Sequence, residues 1–133
     1  MDRLFLDANV LFSASYREAS RLAEFWNLSD VELVTSAYAI EEARRNLPAE
    51  DQRMRLDQLV AGVVIVSTSA RSLPADLLLP EKDLPILSVA IGSGATHLIT
   101  GDKSHFGNYF EQLVGGVLIQ APSSYLDGHA KKS

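Results

Sequence analysis

The sequence predicts an α/β fold: a three-layer α/β/α sandwich with a mostly parallel central sheet of about five strands. Three observations predict it. Short apolar runs of strand character alternate with helical stretches nearly throughout, and parallel neighbours need such helical crossovers. One run, Val63-Val64-Ile65-Val66, is continuously β-branched, the pattern of a strand buried on both faces. The 133 residues are 47% hydrophobic and 22% charged, the balance of one globular domain large enough for its own core.

The elements follow in order. Arg3-Leu4-Phe5-Leu6 forms a first strand ending at Asp7. Ala8 to about Tyr16 and then Glu18 to Leu28 read as helices, the second with Leu22, Phe25 and Trp26 on one apolar stripe. Glu32-Leu33-Val34-Thr35 is a short strand, and Ser36 caps a helix reaching about Leu47, where Pro48 stops it. A polar helix over about Ala49 to Ala61 precedes Gly62 and the Val63–Val66 strand. Residues 67–81, with Pro74 and Pro80, read mostly as loop. Asp83 opens a helix with Ile86, Leu87, Val89, Ala90 and Ile91 that ends at Gly92 or Gly94. His97-Leu98-Ile99-Thr100 is the next strand, a short helix covers Tyr109 to Leu113, and Gly115-Gly116 leads into a last strand, Val117 to Gln120. Right-handed crossovers then place helices on both faces of the sheet. One domain is expected over residues 1–126, with a polar tail over 127–133.

Composition removes several classes of function. There is no cysteine, which excludes a disulfide scaffold, thiol catalysis and a thiolate zinc site. No apolar run approaches the roughly 20 residues that span a bilayer. Asp2 and Asp7 bracket a short N-terminal stretch unlike a signal peptide, so the expected location is the cytoplasm, with no membrane partner. The net charge of −5 means that a nucleic acid would be met through a local basic patch or through bound cations.

Ligands of such a sheet gather outside the carboxyl ends of its strands. Asp7 ends the first strand, and Asp102 lies two residues beyond Thr100. Asp83 begins the helix that feeds the Thr100 strand, and Glu42 lies in the helix after Thr35, where periodicity does not separate it from Glu41. Each has an ordinary explanation too: Asp83 makes a good helix cap, Asp102 fits a turn, and Glu42 fits a solvated helix face. Together, two such charges about 5 Å apart repel by on the order of 3 kcal/mol. Protonation or bound cations must relieve that repulsion, and hard oxygen ligands without cysteine or paired histidines point to Mg²⁺ or Mn²⁺.

Leu6-Asp7-Ala8-Asn9-Val10-Leu11 resembles the opening motif of PIN-domain nucleases. Ser36 with Glu42 and Leu47 is similar to that family's second motif. Asp83-Leu84-Pro85-Ile86-Leu87, then Thr96-His97-Leu98-Ile99-Thr100-Gly101-Asp102, looks like the third. The closing Lys103-Ser104-His105-Phe106-Gly107 matches PIN proteins of the PilT N-terminal and VapC toxin type, and the likeness runs from residue 3 to about 126.

The resemblance implies a metal-dependent endoribonuclease acting on single-stranded RNA, with Asp7, Glu42, Asp83 and Asp102 around one or two Mg²⁺ or Mn²⁺ ions. It selects Glu42 over Glu41. It makes Asn9, Ser36 and Thr100 groups that orient carboxylates or water, and it implies an antitoxin partner and a homodimer. Ser104 departs from the pattern, because many members carry a further acid there, and this puts the second ion in question. Lys103, His105, Arg44 and Arg45 are candidate RNA contacts. Two other functions compete: a PIN-like binding module without activity, and a phosphatase or receiver-like α/β domain. The latter predicts an Asp-x-Asp pair or an acidic doublet where this chain has Asp7-Ala8-Asn9.

Overall fold

A computed structural model describes residues 1–67, 77 and 79–132, apart from the side chains of the last two. Residues 68–76 and 78, most of the expected loop, lie outside the described residues, as does the end of the tail. Strand β1 (Asp2–Leu6) is followed by helix α1 (Ala8–Tyr16), strand β2 (Val31–Thr35), helices α2 (Ala37–Asn46) and α3 (Glu50–Val60), and strand β3 (Val64–Ile65). Helix α4 (Leu84–Gly92) leads to β4 (His97–Ile99), the short α5 (Lys103–Phe106), the hairpin β5 (Gln112–Val114) and β6 (Val117–Gln120), and helix α6 (Pro122–Lys132).

The described strands form one six-stranded sheet in the order β3-β2-β1-β4-β6-β5. Every pairing is parallel except β5 with β6. The chain runs outward from β1 to β2 and β3, then returns through α4 to the other side of β1. Its direction therefore reverses between β1 and β4, the place where an open α/β sheet forms a crevice. Because crossovers are right-handed, the reversal puts α4 on the face opposite α1, α2 and α3. Leu4, Phe5, Leu6, Leu98 and Ile99 are completely buried, as central strands covered on both faces require. Among the described residues no helix is long and apolar enough to cross a membrane.

Four expectations need correction. The Val63–Val66 run is not buried on both faces: among the described residues β3 is an edge strand paired only with β2, and Val64 and Ile65 are 49% and 53% exposed. Its β-branched side chains satisfy strand geometry, but position in the sheet decides burial. The expected helix over Glu18–Leu28 is a 3-10 helix, Arg21–Asn27, capped by the Ser20 hydroxyl accepting from Leu22 N–H. Leu22 and Phe25 are three apart, a spacing that serves a three-residue turn as well as an α-helical one. Trp26 in that turn donates its indole N–H to the Leu59 carbonyl at 2.8 Å.

The expected helix over Tyr109–Leu113 is replaced by a 3-10 turn at Gly107–Tyr109 and by β5, which adds a sixth strand. The cause is the two-residue turn. Gly115 and Gly116 have φ of +59° and +86°, the pair of positive values that closes a tight antiparallel hairpin. A Cβ at Gly115 would also stand 2.6 Å from Ile91 Cδ1, so a side chain there would push the end of Ile91 aside as well as strain the turn. Finally, α6 runs through the expected boundary at residue 126. Asp127 pairs with Arg21 at 2.5 Å and His129 with Asp30 at 2.7 Å, fastening this helix to the body of the domain.

Candidate functional site

The carboxyl edge of β1 and β4 is built by backbone first. Asp7 N–H donates to the Ile99 carbonyl at 3.1 Å and Thr100 N–H to the Gln120 carbonyl at 3.1 Å, carrying the ladder one residue past each strand. Asp7 and Thr100 are thereby set beside each other. Thr100 donates its hydroxyl to Asp7 Oδ2 at 2.8 Å, while Asp7 Oδ1 accepts from Ala8 N–H at 2.7 Å as the cap of α1. Asn9 completes the arrangement. Its amide donates to Asp7 Oδ2 and to Thr100 Oγ1, both at 3.2 Å, and its carbonyl oxygen accepts from Gly101 N–H at 2.9 Å.

Asp102 follows in the same turn. Its N–H donates to Thr100 Oγ1 at 3.2 Å, and its Oδ1 caps α5 by accepting from His105 N–H at 3.1 Å. Asp83 reaches the edge from a 3-10 turn, Glu81–Asp83, ahead of α4. It does not cap that helix: its carboxylate makes no capping hydrogen bond. It faces His105, whose Nδ1 lies 2.8 Å from Oδ2 of both Asp83 and Asp102. These are close contacts without hydrogen-bond geometry: among the described residues, Asp83 Oδ2 and His105 Nδ1 are each buried with no hydrogen-bond partner.

A cleft of about 330 Å³ opens over this edge, and Asp7, Glu42, Asp83 and Asp102 all line it. Glu42 is half-buried on the inner side of α2, whereas Glu41 is exposed, so helix geometry separates the two. The crowding shows in the acids' protonation. Burial, with Asp7 only 4% exposed, pushes its carboxyl up to about 6, and the negative charges of Asp83 and Glu42 add to the shift. The hydrogen bonds from Thr100 and Ala8 oppose it. Asp83 is likewise raised, chiefly by burial and also by Asp102 and Glu42, with His105 and Lys82 pulling the other way.

The remaining candidates divide. Ser36 is buried, but its hydroxyl accepts from Ala39 N–H at 3.2 Å and so caps α2; it is not brought to the acids. Ser104 is exposed on α5 and lines no part of the cleft, and neither do Lys103 or Arg45. Arg44 pairs with Asp57 at 2.6 Å, joining α2 to α3 instead of facing the cleft. Sequence reasoning missed two cleft residues, Asn46 and Lys82. The signals were present: Asn46 is one helical turn beyond Glu42 on the same face, and Lys82 is the neighbour of Asp83.

Fold and site together define a class: an α/β domain with four carboxylates, drawn from separate elements, in a crevice suited to divalent cations. The PIN domain family matches over residues 3–104, and the chain belongs to that family, the nuclease family whose motifs it resembles. No curated protein matches the sequence. Among solved structures the chain is similar to one from VapBC2 of Rickettsia felis bound to a DNA fragment from their promoter. The TM-score is 0.68 at 18% identity, covering 90% of this chain and 98% of that one, a likeness of fold.

Proposed function

We propose that this protein is a divalent-metal-dependent endoribonuclease that hydrolyses phosphodiester bonds of single-stranded RNA, as the toxin of a toxin–antitoxin pair. The observation that carries the reading is the meeting of Asp7, Glu42, Asp83 and Asp102 in one cleft at the reversal of the sheet. The donor set fits Mg²⁺ or Mn²⁺, and the buried Asp83 Oδ2, which has no hydrogen-bond partner among the described residues, is an oxygen that a cation would satisfy. These four acids would hold one or two such ions. When bound, the ion supplies positive charge to the phosphate and acidifies an attacking water.

The chain's own groups prepare that chemistry. Thr100 and Asn9 fix the Asp7 carboxylate and favour its charged form. Asp102 is held by its own cap of α5, so its orientation is set before substrate arrives. Lys82 and Asn46 line the same cleft and offer donors to the RNA backbone. An antitoxin partner, supported by the likeness to VapBC2, belongs to the same proposal, as does the homodimer that the family resemblance implies. So does a cytoplasmic location, supported by the cysteine-free composition.

The test is incubation of the purified protein with unstructured RNA, structured RNA and DNA, in Mg²⁺, Mn²⁺ or chelator, beside Asp7→Asn and Asp102→Asn. Cleavage of unstructured RNA that needs metal and disappears in both variants is the expected result. Cleavage that survives chelation, or that persists in folded Asp7→Asn, overturns the proposal.

A further inference from the structure

Resting on that metal centre, we propose that His105 is itself a ligand of the ion, through Nδ1, and that it tilts the site toward Mn²⁺ over Mg²⁺. The three atoms concerned, one oxygen each from Asp83 and Asp102 and Nδ1 of His105, all lie within 4.8 Å of one another. Nδ1 stands 2.8 Å from both oxygens. A single ring nitrogen has one proton or one lone pair and cannot hydrogen-bond to two carboxylates at once. Here it hydrogen-bonds to neither, and Asp83 Oδ2 has no other partner.

Donor atoms this close, with no hydrogen bond between them, have the spacing of an octahedral edge. Ligands about 2.1 Å from a shared ion sit about 3 Å apart. Asp83 is only 9% exposed and caps no helix, so leaving its oxygen unpartnered carries a desolvation cost that an ion would relieve.

The fold also holds His105 in place. Asp102 accepts from the His105 backbone N–H, which fixes the first turn of α5, and the completely buried Phe106 anchors the next residue. His105 does not itself line the cleft; three residues beyond Asp102 on that turn, its ring stands against the two cleft acids Asp83 and Asp102. Ser104 points away into solvent, so the turn's contribution comes from position 105. Both ions favour oxygen, but Mn²⁺, a first-row transition ion, accepts an imidazole nitrogen more readily than the hard, strongly hydrated Mg²⁺. An imidazole in the ligand set therefore moves selectivity toward Mn²⁺.

The experiment is pulsed EPR of Mn²⁺ bound to the whole protein without RNA, with Mn²⁺ and Mg²⁺ affinities measured alongside. The wild type is expected to show ¹⁴N modulation from a directly bound imidazole. His105→Ala should lose that modulation and bind Mn²⁺ at least about tenfold more weakly, with a smaller loss for Mg²⁺. His105→Asp should recover affinity without the ¹⁴N signal and with a lower Mn²⁺/Mg²⁺ ratio. Bound Mn²⁺ without ¹⁴N modulation in the wild type, or modulation that survives His105→Ala, overturns the role of His105 and leaves the metal centre standing. Failure of the wild type to bind Mn²⁺ at all overturns both.

Discussion

Thr100 gives its hydroxyl hydrogen to Asp7 Oδ2 across 2.8 Å, and this bond ties the end of β4 to the end of β1. Thr100 Oγ1 in turn accepts from the Asn9 amide and from the Asp102 N–H. One completely buried hydroxyl thus sets the position of two of the four acids.

Thr100→Val removes that hydroxyl at nearly constant volume. The Asp7 carboxyl loses a bond that favours its charge, so its titration should move above about 6. The pH dependence of Mn²⁺ binding to the metal-free protein should move up with it, because the ion must displace that proton. Leaving Asn9 and the Asp102 N–H without their acceptor should cost roughly 1–3 kcal/mol of stability, measurable by urea unfolding.

Asp7→Asn should abolish cleavage and yet stabilise the metal-free protein near neutral pH. Unfolded, Asp7 loses its proton near 3.8; folded, it keeps it to about 6. Between those values the folded state binds more protons, so stability falls as pH rises through this window. The loss amounts to about 3 kcal/mol once complete. Asparagine carries no such penalty and still caps α1, so the variant should gain on the order of 1–3 kcal/mol at pH 7.5 in chelator. The gain should vanish below pH 4. Unfolding curves across that range decide it, and a variant less stable than wild type at pH 7.5 contradicts the expectation.

Ser36→Ala separates helix capping from orientation of the acids. Loss of the bond to Ala39 N–H should cost about 1 kcal/mol. Well below the melting temperature, metal affinity and cleavage rate should stay at wild-type levels. A large fall in either at full folding would return Ser36 to the site.

Lys82 and Arg44 should respond oppositely to substitution. Lys82→Ala should weaken binding of single-stranded RNA and flatten its salt dependence by roughly 0.7 in the log–log slope. Arg44→Ala breaks the exposed pair with Asp57, costing at most about 1 kcal/mol of stability, and should leave RNA binding unchanged. Titrations of RNA at several salt concentrations compare the two.

The parts of this molecule that were legible in its sequence are those that local chemistry decides. Leu4-Phe5-Leu6 reads as a central strand because the run is apolar on both faces, and Asp7 at its end is where such a sheet receives ligands. Ser36 as a cap and Pro48 beyond the stop of α2 are equally local signals. What was not legible depends on distant partners. Val64 and Ile65 have central-strand chemistry, but among the described residues no strand lies outside them. Gln112–Val114 became a strand because β6 folds back on it. In the site, Asp83 resembles a cap in sequence, and only the fold brings it beside His105, 22 residues further along the chain.

The four acids differ in what else they do. Asp7 and Asp102 each secure a helix start, so a descendant that no longer cut anything would still be penalised for losing them. The Glu42 carboxylate makes no hydrogen bond or ion pair among the described residues; only its backbone oxygen is engaged, by Asn46. Its sole employment is the crevice. If the proposed chemistry were lost, position 42 is where that loss would first be written into a lineage, while the aspartates at 7 and 102 would outlast it as relics of architecture.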